Sequence, residues 1–281
     1  MSDVAAVLDD LREESDQLDE LVRGLSAEQW ETPTPAPGWS IAHQIAHLAW
    51  TDGVALLAAT DPDAFAAETA KAQEAPDTFV DVAARAIVAE AKAAGAAPDV
   101  LLARWRDGRG RMQEMLRAAP AGTRIPWYGP PMSVASMATA RLMETWAHGQ
   151  DIADALGVTR VPTARLRHVA RIGVRARDYA YLVRGSTAPR EEFRVELLAP
   201  DGGLIVFGPE DAAQRVTGPL LDFCLLVTQR AHRDDLAVRA TGPDADHWLD
   251  IAQAFAGPPG PGRAPGPTVP DDGSASRGAQ A

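Results

Sequence analysis

One cysteine, Cys224, is all the sulfhydryl this 281-residue chain carries. A single thiol closes no intrachain disulfide and builds no cysteine-based zinc knuckle. Lysine is nearly as scarce: Lys71 and Lys92 are the only two among 27 basic residues. Set against 39 acidic residues, they leave a net charge of −12, which repels a phosphate backbone and argues against a nucleic-acid partner. No apolar run reaches membrane-spanning length, and no basic-then-apolar leader opens the chain, so the expectation is a soluble, cytoplasmic protein without a membrane partner. A nucleophile elbow, a phosphate-binding glycine loop and a dinucleotide fingerprint are all missing.

What is present is helical periodicity. Residues 3–24 place Val4, Val7, Leu8, Leu11, Leu18, Leu21 and Val22 on one stripe with acids between them, an amphipathic helix ended by Gly24. Ser26 and Gln29 form a capping-box pattern. Three prolines in 32–38 exclude a helix there, and Ser40 then serves as N-cap for a second helix to about residue 59. Further helices fit 77–94 and 98–116, the latter weakened by Gly108 and Gly110. After a proline-rich stretch over 122–131, a long helix opens at Ser133 and closes at Gly157. Four long helices and one extra describe an all-α bundle.

Beyond residue 158 the pattern changes. A helix fits 163–183, and 192–198 alternates like a half-buried strand. Asp201-Gly202-Gly203 turns the chain into a returning strand at 204–207. A buried helix fits 218–230, a short strand 236–239 and an amphipathic helix 245–255. The sequence therefore divides into an N-terminal helical bundle (1–158), a smaller α+β domain (159–256) and a Pro/Gly-rich tail (257–281). That tail has too little apolar surface to offset its ordering entropy and is expected to be disordered.

Two histidine-bearing segments stand out. In 38–48, His43 and His47 lie one turn apart, and in 143–151, Glu144 and His148 do the same. Residues four apart share a helix face, so Glu144 and His148 can close on one ion, with His47 arriving from another helix. Three such ligands leave a position open for chemistry. On the wheel, His47 shares its face with Trp50 and Val54, and a carboxylate on the stripe of Met137, Asp151 and Ala155 needs a partner. Two other readings stand beside this one: ordinary core or surface histidines with a paired Glu144, and a His43–His47 donor pair that offers no carboxylate. Asp151, one turn past His148, is placed to hold an imidazole N–H or to sit solvated on the last turns. Arg167, Arg171 and Arg175 form a basic ridge, a solvated face or a receiver of anions. His168, His232 and His247 carry no assigned role, and Cys224 reads as a buried small hydrophobe.

Gly38-Trp39-Ser40, Ala46-His47-Leu48 and Glu144-x-x-x-His148-Gly149-x-Asp151 resemble the N-terminal domain of mycothiol-dependent maleylpyruvate isomerases, within the DinB-like four-helix superfamily. The resemblance covers about residues 1–158. It implies a divalent metal, usually zinc, on His47, Glu144 and His148, an ion that activates the thiol of mycothiol, and a small carboxylate substrate. It also implies that Arg230, nearest to an arginine ending the corresponding helix, binds that carboxylate. The C-terminal half looks closer to bacterial metal-binding proteins with a wyosine-forming-like segment. Without a cysteine cluster, radical iron–sulfur chemistry does not carry over. The reading is a metal-dependent, thiol-using isomerase or transferase. The rival readings are a metal-dependent hydrolase, with water in the open position, and a non-catalytic metal-binding or regulatory protein.

Overall fold

The computed structural model describes residues 4–76, 78–257, 259–260 and 262–266. The N-terminal region is almost entirely helical: α1 (Val4–Val22), α2 (Ala27–Trp30), α3 (Ile41–Thr60), α4 (Pro62–Glu74), α5 (Phe79–Ala93) and α6 (Ala97–Ala118). A two-stranded ribbon of β1 (Arg124–Ile125) and β2 (Met132–Ser133) leads into the long α7 (Val134–Leu156). The C-terminal region is smaller and mixed, with α8 (Leu166–Arg175), α9 (Arg177–Leu182), β3 (Arg194–Leu198), β4 (Leu204–Phe207), β5 (Arg215–Pro219), α10 (Leu220–Val227), β6 (Arg239–Thr241) and α11 (Pro243–Ile251).

Local chemistry sets these limits. Ser26 and Gln29 exchange the two bonds of a capping box, satisfying amides that the first helical turn leaves without partners. Ser133 Oγ accepts from Ser136 N at 3.1 Å to open α7. Gly157, at φ 66°, closes it in the left-handed conformation that L side chains resist. α6 runs unbroken through Gly108 and Gly110, because burial of Leu101, Leu102, Trp105, Met112 and Leu116 outweighs two weak helix formers. α4 was not expected. Its alanine-rich sequence buries only Phe65 and carries little periodicity, but Asp61 caps it and Pro62 starts it.

α3 is covered almost all round, packing against α5, α6 and α7, while α1 packs along α7. In the C-terminal region the strand order is β4-β3-β5-β6, with β3 and β5 parallel and both outer pairs antiparallel. The expected 163–183 helix divides into α8 and α9. The strand expected at 236–239 forms at β6, three residues later, and β5 completes the sheet. α8 lies close on α10 because position 173 is glycine: a Cβ there would sit 2.7 Å from Val227. Buried residues of α7 (Met137, Leu142, Trp146) and of the C-terminal region (Val169, Phe223, Trp248) belong to one continuous core.

Charge joins the two regions. Glu14 on α1, almost fully buried, accepts from Arg160 and from Arg165 Nε (3.0 Å). Asp10 takes Arg167 and His168 Nε2 (2.7 Å). The basic ridge is thus partly tied down, and His168 ties α8 to α1. The described part of the tail also has partners. Gly257 exchanges bonds with the Tyr179 hydroxyl, Arg263 pairs with Asp151 (2.6 Å) and Asp154 (2.5 Å), and Gly266 N donates to Asp235 at 2.8 Å. The remainder of the segment expected to be disordered lies outside the described residues.

Candidate metal centre

α3 and α7 face one another, and their contact brings His47, Glu144 and His148 together. Glu144 Oε2 lies 3.2 Å from His47 Nε2 and 3.2 Å from His148 Nε2. One donor atom from each residue lies within 4.8 Å of the others. Ligand atoms about 2.1 Å from a tetrahedral ion are roughly 3.4 Å apart, so the spacing suits a shared cation. His43 is elsewhere: its Nδ1 accepts from Ser40 N at 3.2 Å and meets Ser40 Oγ at 2.9 Å, completing the cap of α3. The competing His43–His47 pair therefore has one member committed to the helix start.

The hydrogen-bond network orients the second α7 ligand. Thr34 Oγ1 donates to Trp39 O at 2.9 Å and accepts from Gln44 Nε2 at 2.8 Å. That fixes the Gln44 amide with Oε1 turned to His148 Nδ1, which it meets at very short range. Gln44 Oε1 can only accept, so the network assigns the His148 proton to Nδ1. A neutral His148 then turns the bare lone pair of Nε2 toward a carboxylate oxygen. Two acceptors face each other there, an arrangement that a cation resolves.

Aromatic rings enclose the imidazoles. Trp39 stacks on His148, with centroids 6.1 Å apart and planes 21° apart, and lies 5.5 Å from His47. Its Nε1 donates to Asp81 Oδ1 at 2.8 Å, and Asp81 is itself held by Arg85, so the Gly38-Trp39-Ser40 motif supplies a fixed roof. Trp50 flanks His47 on another side at 5.8 Å.

Electrostatics favour a charged Glu144 carboxylate beside a neutral His47 ring. Burial pushes His47 down to about 4, helped by repulsion from His148 and opposed by Glu144. Burial alone would raise Glu144, but the neighbouring His148 and His47 rings and the charge of Arg141 hold it well below the usual carboxylate range. Behind it Asp52, fully buried, is pushed up to about 6 despite Arg141. His47 Nδ1 and Arg141 Nε and Nη1 are buried without a hydrogen-bond partner.

Asp151, read from the sequence as either an imidazole partner or a solvated acid, is bonded to Arg230 Nη2 (2.8 Å) and Arg263 Nη2 (2.6 Å). The imidazole N–H partner is Gln44. It lies three residues before His47 and therefore on the same face of α3. Arg230 follows Gln229, the one described non-glycine residue at positive φ (58°). It spends Nη1 on Thr228 O (2.7 Å) and Nη2 on Asp151. Cys224 is fully buried.

The mycothiol maleylpyruvate isomerase N-terminal domain family matches residues 11–153, and a wyosine base formation family matches residues 189–241. Two uncharacterized proteins of Mycobacterium tuberculosis, from strains CDC 1551 / Oshkosh and ATCC 25618 / H37Rv, are each 57% identical over 263 residues. That span is 94% of this chain and all of theirs. Crystal structures of the mycothiol-dependent maleylpyruvate isomerase and of a histidine-to-alanine mutant of it superpose with a TM-score of 0.53 at 15% identity. They cover 86% of this chain and 95% of theirs, and so show a shared fold. The first family match spans half of the chain and includes all three converging donors: the chain belongs to the mycothiol maleylpyruvate isomerase N-terminal domain family.

Proposed function

We propose that this protein binds a divalent metal, zinc by preference, through His47, Glu144 and His148, and works as a mycothiol-dependent isomerase or transferase on a small carboxylate. The observation that carries the reading is the meeting of two imidazole Nε2 atoms on one carboxylate oxygen, each at 3.2 Å. For a neutral His148 the network leaves that nitrogen without a proton to donate. A bound ion of this ligand set would supply Lewis acidity, lowering the pKa of a thiol at its open position. The helices behind the ligands fit the four-helix bundle of the DinB-like superfamily.

The chain's own residues do the rest. Trp39 shields the imidazoles from water on one side and Trp50 packs against His47 on another. Gln44 fixes His148 in plane, and Arg141 keeps Glu144 ionised. Arg230 is the candidate for the substrate carboxylate. Its hold on Asp151 would have to be shared or exchanged, because Nη2 is already committed there.

Metal analysis of protein purified without chelator should find one ion per chain. The cobalt-substituted protein should develop a sulfur-to-metal charge-transfer band in the near ultraviolet when mycothiol is added, since a thiolate is a soft, easily oxidised donor. Arg230→Ala should leave that band intact and reduce turnover of a carboxylate substrate. A metal-loaded protein without a spectral response across pH 6–9 would remove the thiol chemistry and return the hydrolase and binding-protein readings.

A further inference from the structure

We propose that Gln44, locked by Thr34, is a positioning residue of the metal centre: it holds the His148 ring and keeps Nε2 free as the donor. The proposal rests on the metal-binding reading and adds a residue to it. Gln44 is fully buried on α3, and both ends of its amide are spoken for.

The argument is an accounting of donors and acceptors. The Thr34 hydroxyl has one proton, and Trp39 O takes it at 2.9 Å. Thr34 Oγ1 must then accept at its other contact, so the atom 2.8 Å away is the Gln44 NH₂ group. The carbonyl end of the amide is left facing His148 Nδ1. A flipped amide would set two acceptors against each other at Thr34 and a donor against the Nδ1 proton, losing both bonds in a site closed to water. Trp39 stops the same ring from tipping out of plane, and its carbonyl anchors Thr34. The loop before α3 and the first turns of α3 therefore brace a ligand that belongs to α7. His47 has no such brace, its Nδ1 being without a partner. Removing the outer partner of a ligating histidine typically costs about 10–100-fold in metal affinity.

The test uses the full chain, zinc titration with a competing chromophoric chelator, and ¹⁵N long-range NMR of the metal-free protein at neutral pH. In the wild type the His148 proton should be on Nδ1. Gln44→Leu should weaken zinc about 10–100-fold and release the tautomer. Gln44→Glu, which keeps an oxygen facing Nδ1, should recover most of the affinity. Thr34→Val, which leaves Gln44 in place but unlocks its amide, should fall between them and covers the case in which Gln44→Leu fails to fold. Folded Gln44→Leu or Thr34→Val protein with wild-type zinc affinity and an unchanged tautomer would overturn the proposal. If wild-type protein took no zinc at all, the metal reading would fail by itself, and the NMR tautomers would still decide whether Gln44 positions His148.

Discussion

Asp52 and Arg141 face each other across 3.9 Å, both side chains about 4% exposed, and the same guanidinium stands 3.9 Å from Glu144 Oε1. One cation thus balances two carboxylates that water does not reach freely. Coulomb attraction at such a site is strong, but desolvation of the three groups opposes it. Breaking the pair from one side should therefore cost far more than removing it. Arg141→Met is expected to lose about 3–5 kcal/mol of stability, and Arg141→Met combined with Asp52→Asn distinctly less. Urea melts of metal-free protein check this, and equal losses in the two variants would show that the pair contributes no coupling.

The pH dependence follows from two opposed groups. His47 stays neutral in the folded chain down to about pH 4, whereas an unfolded histidine protonates near 6.5. Its contribution is complete above pH 6.5 and is lost as pH falls toward 4. Asp52 is raised to about 6 from 3.8, so its contribution is greatest at low pH and is lost as pH rises through 6. Between pH 4 and 6 each group approaches about 1.4 kcal/mol per pH unit at most, with opposite signs. Asp52→Asn should remove the compensating half and steepen the acid-side loss of stability. Chemical melts at half-unit intervals in metal-free protein measure both slopes, and parallel curves would refute the assignment.

The histidines should separate cleanly. His47→Ala and His148→Ala should abolish stoichiometric metal while circular dichroism stays helical, since the core does not depend on an ion. His43→Ala should keep the metal and cost about 0.5–2 kcal/mol through the lost cap of α3. Metal content and melting temperature of the three variants check this. Loss of metal from His43→Ala alone would move the site.

A free tail would make truncation after Gly257 silent. The two bonds from Arg263 to Asp151 and Asp154 predict otherwise: truncation and Arg263→Ala should each lower stability by about 1 kcal/mol. Differential scanning calorimetry on the two variants distinguishes an anchored segment from a loose one.

How much of this was legible in the sequence depends on the range of the interaction. The stripe of Val7, Leu8, Leu11 and Leu18, the Ser26 box, the Ser40 and Ser133 starts and the Gly157 stop are local rules, and each element formed within a few residues of where they put it. So did the triad, because i,i+4 spacing and one apolar face already narrow the choice. Two other side chains were not legible in this way: Asp151, left open between an imidazole partner and a solvated acid, pairs with two arginines, and Gln44, given no role, meets the imidazole. Which polar group reaches Nδ1 of His148 depends on how α3 lies against α7, and spacing within either helix carries no information about that. Arg215-Val216-Thr217-Gly218-Pro219 is too short and too rich in breakers to read as a strand, yet as β5 it pairs with β3 over five positions. The contacts of Arg263 depend on two carboxylates more than a hundred residues earlier in the chain.

The entombed Cys224 has a consequence for any protein that handles a small thiol. Its Sγ donates to Leu166 O at 3.4 Å, and burial pushes the thiol well above its ordinary pKa. A cell that keeps a millimolar thiol pool also produces its disulfide, which caps accessible protein thiolates and silences them. Here the only sulfur that could be capped is sealed between α8 and α10 and stays protonated. A small-molecule disulfide therefore finds no accessible cysteine on this chain to cap.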